Sequence, residues 1–248
     1  MRPDIRPGGD ELAGQTVLVI GGTSGIGLET ARRARTVGAD VIVTARDADR
    51  LKQVALELGA RAAAFDATDF GRLGKFFDEL PSAVDHVLVT GPGPYYAPLA
   101  DFEVEKARRD LDAHVLLPIE VARHAARKVR APGTLLFMGG TGGRRTAPGL
   151  ALISALTAAG PAMTKNLARE LAPIRVNLIA AGFVDTPLSA AILGDQIEAR
   201  REQLRRTLPI GRVIGPADIA ALAIHLMTNT AVTGATFDID GGQQLVEG

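Results

Sequence analysis

The sequence predicts an α/β fold: a doubly wound sheet of about seven parallel strands with helices on both faces. Short runs rich in β-branched and apolar residues alternate with longer segments of helical periodicity. The strand runs are almost continuously apolar, which is typical of parallel sheets covered on both faces. A glycine-rich turn joins the first strand to the first helix, where doubly wound folds bind their ligands.

The elements follow one another in β-α order along the chain. The predicted strands cover residues 16–20, 40–44, 61–65, 84–89, 134–138, 174–179 and 235–239. The predicted helices cover residues 25–37, 47–58, 69–80, 101–130, 150–172, 187–206 and 216–227. Right-handed crossovers would join such strands into one Rossmann-like domain. We therefore expect a single dinucleotide-binding domain at 14–248, preceded by an N-terminal extension at 1–13.

Composition narrows the function. The chain has 28 Lys and Arg against 28 Asp and Glu, so no basic excess points to nucleic acid or an anionic membrane, and a small-molecule partner is expected. With no cysteine, the chain has no disulfide, no thiolate metal site and no Cys nucleophile, so redox chemistry needs a bound cofactor. Four scattered histidines predict no metal site. The N-terminus lacks an apolar run, which favours a cytoplasmic protein.

The turn after the first strand has a phosphate-binding pattern. Glycines permit a tight turn and a close approach of backbone N–H groups to a pyrophosphate, and the following helix adds the positive end of its dipole. A turn with a purely structural role is the alternative. The predicted dinucleotide contacts of this loop are Gly21, Thr23, Ser24, Gly25, Ile26 and Gly27.

The end of the second strand favours NADP(H) over NAD(H). An acidic residue there would bind the ribose 2′-hydroxyl of NAD, but the chain has Ala45 and Arg46. A guanidinium can pair with the 2′-phosphate of NADP, although Arg46 can also be a solvated residue of the next helix. After the third strand, Asp66 and Ala67 are predicted to contact the adenine, while Asp69 is a helix N-cap.

Motifs spread over about residues 14–242 resemble those of the short-chain dehydrogenase/reductase family. Residues 21–27 are similar to its TGxxxGxG loop, and residues 90–93 stand where NNAG is expected, with the final glycine kept. Residues 181–186 resemble PGxxxT, and residues 233–234 with 240–242 match TG…DGG. The resemblance implies hydride transfer between a nicotinamide cofactor and a carbonyl or alcohol. It also implies cofactor contacts at Gly91, Gly182, Val184 and Thr186.

The positions that align with the family's catalytic tetrad have all changed. Family members use Asn, Ser, Tyr and Lys, and the matching positions here hold His114, Gly140, Ile153 and Thr157. Neither isoleucine nor glycine transfers a proton, and threonine carries no ammonium group. The resemblance therefore predicts that the chain binds the cofactor, but it does not predict the family's usual catalysis.

Three residues are candidates to replace the lost acid. His114 titrates near neutral pH and aligns with the family's Asn, although a packed or interfacial histidine is the alternative. Tyr95 and Tyr96 follow the fourth strand on the same side as a bound nicotinamide. Their alternative role is an aromatic wall of the substrate pocket.

These observations favour an NADP(H)-dependent oxidoreductase that acts on a small carbonyl or alcohol by a non-standard mechanism. One alternative is a catalytically inactive protein that still binds the cofactor. Another is a lyase, isomerase or cyclase that reuses the pocket. The helices that form interfaces in the family predict a homodimer or homotetramer.

Overall fold

A computed structural model describes residues 10–246 of the chain. Its seven strands form one parallel sheet in the order β3-β2-β1-β4-β5-β6-β7. The predicted fold class is confirmed. The strands are β1 (Thr16–Ile20), β2 (Asp40–Ala45), β3 (Arg61–Ala64), β4 (Val84–Val89), β5 (Val129–Gly140), β6 (Arg175–Ala181) and β7 (Thr236–Ile239).

Helices cover both faces of the sheet. One apolar cluster joins it to the first, second and ninth helices, and another joins it to the third, fifth and sixth. The helices are α1 (Gly25–Thr36), α2 (Ala48–Leu58), α3 (Phe70–Glu79), α4 (Val104–Leu111), α5 (Leu117–Lys128), α6 (Ala151–Glu170), α7 (Pro187–Leu193), α8 (Ile197–Thr207) and α9 (Pro216–Thr228).

The strand order creates a crevice at the carboxyl ends of two central strands. The fully buried strand β1 pairs with β2 on one side and with β4 on the other. The chain therefore leaves β1 in one direction and returns on its other side, so the loops after β1 and β4 diverge. A ligand site is expected at the carboxyl ends of these two strands.

The predicted helix 101–130 is wrong in its interior and at both ends. It divides into α4, a π-helical segment at Asp112–Leu116, and α5. Pro118 has no N–H, so the carbonyl of His114 lacks its usual α-helical donor. Leu117 instead donates to the carbonyl of Asp112, five residues back. This π turn places His114 in a local widening of the helix, a feature that is frequent at functional sites.

Two other boundaries also differ. The predicted helix 187–206 divides between α7 and α8 at Gly194, whose φ of +52° interrupts the helical path. Strand β5 begins at Val129, five residues before its predicted start at 134, because Val129 already pairs with Val84 of β4. Residues 129 and 130 therefore belong to the sheet.

Residues 1–9 of the predicted extension lie outside the described residues. Leu12, which was also assigned to the extension, is fully buried in the core, and its N–H donates to the carbonyl of Val37 at 2.9 Å. Folded packing therefore includes residue 12. Within residues 10–246, no helix is long and apolar enough to cross a membrane.

Arg175, the first residue of β6, is a buried cation that bonds to backbone alone. It is only 4% exposed, and its guanidinium donates to the carbonyls of Pro132, Leu226, Met227 and Asn229 at 2.6–3.2 Å. Three of these carbonyls lie at the C-terminus of α9, where they have no helical partners of their own. Arg175 thereby joins the C-terminus of α9 to the amino end of β6.

We expect Arg175→Met to lower the free energy of unfolding by about 2–4 kcal/mol, because it leaves several buried carbonyls unbonded. Urea unfolding followed by circular dichroism measures this loss. Arg169→Met, at an exposed position near the end of α6, is the matched control and should change stability by less than about 0.5 kcal/mol. Equal stability of the two variants would contradict the proposed role of Arg175.

Candidate functional site

The loop after β1 can make its tight turn only because glycines occupy several of its positions. Gly21 and Gly25 have φ values of +89° and +50°, which side chains rarely adopt. A Cβ on Gly27 would lie 2.2 Å from the carbonyl oxygen of Gly21. Thr90, directly after β4, shares its hydroxyl hydrogen between the carbonyl oxygens of Ile20 and Gly21, each 3.0 Å from Oγ1. This contact of Thr90 has no signal in the sequence.

The loop delivers the open N-terminus of α1. The N-cap residue Ser24 makes no side-chain hydrogen bond to the helix, and the first turn contains no acidic residue. The N–H groups of the first turn have no partner inside the helix, and the helix dipole adds partial positive charge. This end of α1 has the chemistry of an anion site, as the sequence predicts for Gly25, Ile26 and Gly27.

The ends of β2 and β3 bring Arg46 and Asp66 together. Ala45 pairs with Ala64, so the residues after these strands are neighbours. Asp66 accepts hydrogen bonds from the N–H of Thr68 at 2.9 Å and from its hydroxyl at 2.7 Å. Partial burial raises the pKa of Asp66, but the bonds from Thr68 and the charge of Arg46 outweigh it and lower the pKa overall. An exposed guanidinium thus lies beside an ionised carboxylate.

The loop after β6 reaches the glycine loop from the other side. Gly182 donates to the carbonyl of Ile239, and Val184 is buried. Thr186 caps α7 by a reciprocal pair of hydrogen bonds with Ser189. A Cβ on Gly25 would lie 3.4 Å from the methyl group of Thr186. The structure therefore brings Thr186 directly against the start of α1.

The positions aligned with Tyr and Lys pack against the loop that follows Gly140, the position aligned with Ser. A Cβ on Gly143 would lie 2.5 Å from Thr157 Oγ1 and 2.6 Å from the carbonyl oxygen of Ile153, so the loop after β5 packs directly on α6. Ile153 is buried, whereas a Cβ on Gly140 would find no atom closer than 3.7 Å. None of these side chains titrates near neutral pH.

His114 lies at the end of β4 with a buried carboxylate behind it. A Cβ on Gly91 would lie 3.3 Å from His114 Nε2, so the imidazole faces the loop after β4. On its other side, His114 Nδ1 lies 3.1 Å from Oδ1 of Asp110. Burial lowers the pKa of His114, but hydrogen bonds and the charge of Asp110 outweigh it and raise the pKa above 6.5.

Comparison with known proteins identifies the family. Residues 21–244 match the family model described as "Enoyl-(Acyl carrier protein) reductase". The chain belongs to the short-chain dehydrogenase/reductase family. It is 29% identical to the short-chain dehydrogenase/reductase ATR9 of Stachybotrys chlorohalonatus, over 93% of this chain and 97% of that protein.

Solved structures of this family have the same fold. The MalC reductase/Diels-Alderase of Malbranchea aurantiaca superposes with a TM-score of 0.87 at 25% identity, covering 95% of this chain and 98% of that one. BdcA in complex with NADPH superposes with a TM-score of 0.83 at 28% identity, covering 93% and 95%. The relatives span this chain nearly end to end.

Tyr95 supports the loop after β4. Its hydroxyl accepts from the N–H of Glu103 at 2.8 Å and donates to the carbonyl of Asp101 at 3.2 Å, while its ring packs near Phe102 and Lys106. The hydroxyl therefore already has a donor and an acceptor within the loop. These contacts favour a structural role for Tyr95 over proton transfer.

Tyr96 is half-exposed, and the negative charge of Asp110 is close enough to affect its phenol. Burial, together with the charge of Asp110, raises the pKa of Tyr96, whereas the catalytic Tyr of short-chain dehydrogenases/reductases needs a lowered pKa. Tyr96 is thus a weaker acid than free tyrosine. The site role predicted for it from sequence stays a prediction, and its position favours the aromatic wall.

Helix α7 covers the loop after β4. A Cβ on Gly93 would lie 3.0 Å from Leu188 and 3.1 Å from Ile192, which are both half-exposed. On the adjacent side, Arg144 is paired with Asp238 of β7, and Arg145 donates to the carbonyl of Val246. Helix α7 therefore gives the loop after β4 an apolar cover.

The carboxylate of Asp110 was missed by the sequence analysis. Its signal was present, since Asp110 precedes His114 by four residues, which is one helical turn. Within the described residues, no group of three or more His, Asp and Glu side chains is placed to hold a metal ion.

Proposed function

We propose that this chain binds NADP(H) and transfers hydride between it and a small carbonyl or alcohol substrate, with His114 as the proton donor. The observation that carries the proposal is the position of His114 Nε2 against Gly91, at the mouth of the crevice between β1 and β4. The imidazole of His114 can titrate near neutral pH. The side chains of Gly140, Ile153 and Thr157 offer no such group.

The residues present fit a phosphorylated dinucleotide. The glycine loop leaves no room for a Cβ at Gly27, and the first turn of α1 offers unpaired N–H groups to a pyrophosphate. Arg46 would hold a 2′-phosphate. The complex of the similar protein BdcA with NADPH supports this assignment. Once bound, NADPH would supply the hydride.

In the reducing direction, His114 would act as a general acid. Its protonated Nε2 donates to the substrate oxygen as hydride reaches the carbonyl carbon, so an alcohol forms and the imidazole becomes neutral. Solvent then returns the proton to His114. The raised pKa keeps more of the imidazole in its donating form at neutral pH.

The cofactor part of the proposal predicts a selective effect of Arg46. Arg46→Ala should weaken NADPH binding by about 10–100-fold through loss of a charge-assisted pair, and it should leave NADH binding unchanged. Titration followed by nicotinamide fluorescence measures both constants. The control is Arg61→Ala, which removes an exposed arginine at the start of β3, at the end of the sheet away from Arg46. Equal losses for NADPH and NADH in Arg46→Ala would contradict a 2′-phosphate contact.

The activity is tested by NADPH oxidation with a panel of aldehydes and ketones. Substrate-dependent oxidation well above background is the expected result. Firm NADPH binding without turnover on any carbonyl would instead identify a cofactor-binding protein without catalysis, the alternative that the changes at Gly140, Ile153 and Thr157 favour.

A lyase, isomerase or cyclase that uses the same pocket is the second candidate. It is favoured by the similarity to a protein described as both reductase and Diels-Alderase. Product analysis with the cofactor present but not consumed would separate this activity from hydride transfer.

We also propose that the chain forms a homodimer or homotetramer. Large apolar side chains are exposed along α4, the π turn and α5, namely Val104, Leu111, Leu116 and Ile119. Association through this face would remove them from water. Multi-angle light scattering tests the proposal, and a monomer at micromolar concentration would contradict it.

A further inference from the structure

Asp110 is a buried carboxylate with two separate contacts. It lies in the last turn of α4, and its side chain is only 4% exposed. Oδ1 lies 3.1 Å from His114 Nδ1, and Oδ2 accepts a hydrogen bond of 3.1 Å from the N–H of Tyr95. One side chain therefore fixes both the imidazole and the loop after β4.

These contacts determine which nitrogen of His114 keeps its proton. Nδ1 lies 3.0 Å from the carbonyl oxygen of Asp110 as well as close to its carboxylate. A carbonyl and an ionised carboxylate only accept hydrogen bonds, so this pair favours hydrogen on Nδ1 in the neutral imidazole as well as in the charged one. Nε2 is then the nitrogen that gains and loses a proton, and it faces Gly91.

Few other groups influence this imidazole. The carbonyl of Pro92, in the loop after β4, accepts a hydrogen bond from the imidazole and also raises the pKa of His114. The phenol of Tyr96 lies near the carboxylate of Asp110. Helix α6 packs against the π turn, but its titratable residues stand in its last two turns, and none of them acts on His114. The titratable residues of α6 are Lys165, Arg169 and Glu170.

We propose that Asp110 is the positioning residue of His114: it holds the proton on Nδ1 and presents Nε2 to the substrate. The inference rests on the proposed function, because it explains how His114 donates from a defined atom. Asp110 itself does not touch the reacting atoms. When His114 gives up its proton, the neutral imidazole keeps its bond to Asp110 and does not need to reorient.

Asp110→Asn tests this role, because it removes the charge and keeps an oxygen that can accept from the N–H of Tyr95. The readout is the ¹⁵N-detected NMR titration of His114, assigned by comparison with His114→Gln. We expect the apparent pKa of His114 to fall by about 1–3 units, as is typical when a close opposite charge is removed. We also expect the Nδ1–H tautomer of the neutral imidazole to become less populated, because the backbone carbonyl of residue 110 remains as its acceptor but the carboxylate is gone. The NADPH dissociation constant should stay within about threefold.

Glu105→Gln is the matched control, since it removes one negative charge from an exposed position of the same helix, where Glu105 pairs with Arg108. Its His114 titration should match that of the unmodified protein. An unchanged titration in Asp110→Asn would overturn the inference. If Asp110→Asn fails to fold, the unmodified protein decides: a neutral His114 with its hydrogen on Nε2 would also overturn it.

The experiment separates this inference from the proposed function. If Asp110→Asn shifts the titration but no carbonyl is reduced, the positioning role stands and the oxidoreductase proposal fails. If carbonyls are reduced and the titration does not respond, the activity stands and Asp110 has no positioning role. If the positioning role and the oxidoreductase activity are both correct, the pH at which kcat/KM falls should be lower in Asp110→Asn. The difference should equal the change in the pKa of His114 that the titration measures.

Discussion

Gly27→Ala is expected to weaken NADPH binding by about 100-fold or more, which corresponds to about 3 kcal/mol of binding free energy. The added Cβ would lie 2.2 Å from the carbonyl oxygen of Gly21 and 3.2 Å from the hydroxyl of Thr90. Because the nearer atom belongs to the backbone, no side-chain rotation relieves the clash. The loop must open, and the N–H groups at the start of α1 then move away from the pyrophosphate.

Fluorescence titration with NADPH measures the loss, and thermal unfolding shows whether the sheet remains folded. Gly215→Ala is the matched control, because it adds the same methyl group where no atom lies within 4 Å and where φ is −109°. It should bind NADPH as the unmodified protein does. Unchanged affinity in a folded Gly27→Ala variant would show that the cofactor does not use this loop.

His114→Gln should lower kcat by about 10²–10⁴-fold, the range typical for loss of a positioned general acid. The amide of glutamine does not titrate, so it cannot release a proton to the substrate. NADPH affinity should change little, since the glycine loop and Arg46 remain. The effect is therefore expected in turnover, measured by NADPH oxidation with the best substrate of the carbonyl panel.

The pH dependence has a definite sign. Reduction needs protonated His114, so activity should be constant at low pH and decline as the pH rises through its pKa, which lies above 6.5. The residual rate of His114→Gln should lack this decline. His225→Gln, at an exposed position near the end of α9, is the control and should keep both rate and profile. An equal profile in His114→Gln would exclude His114 as the acid.

Short apolar runs were sufficient to predict the seven strands, although the start of β5 was missed. β1 and β4 have their predicted bounds, because both strands end in apolar runs, at residues 17–20 and 87–89, and glycine-containing turns follow them. The interruption before Pro118 was missed because apolar spacing continues from α4 into α5 across the π turn. Periodicity reports which face is buried, and it does not report which carbonyl has lost its donor.

The candidate site was only partly predictable, for a related reason. The glycine pattern predicts its own turn, since the backbone constraint is local to residues 21–27. The spacing of Asp110 and His114 is a local signal, but the second contact of Asp110, from the N–H of Tyr95, comes from a loop 15 residues away along the chain. Thr90 likewise bonds to Ile20, which is 70 residues distant. Contacts of this kind arise from packing, and single-residue patterns do not encode them.

The buried guanidinium of Arg175 has a consequence for how this sequence can change over time. All of its acceptors are main-chain carbonyls, at Pro132, Leu226, Met227 and Asn229. Every amino acid provides that oxygen, so substitutions at these four positions need no compensating change at 175, provided the backbone path is kept. The side chains of the acceptor residues can therefore change without loss of these hydrogen bonds, whereas replacement of the single donor removes all of them. Among distant homologues with the same path, we expect an invariant arginine facing a variable set of partners.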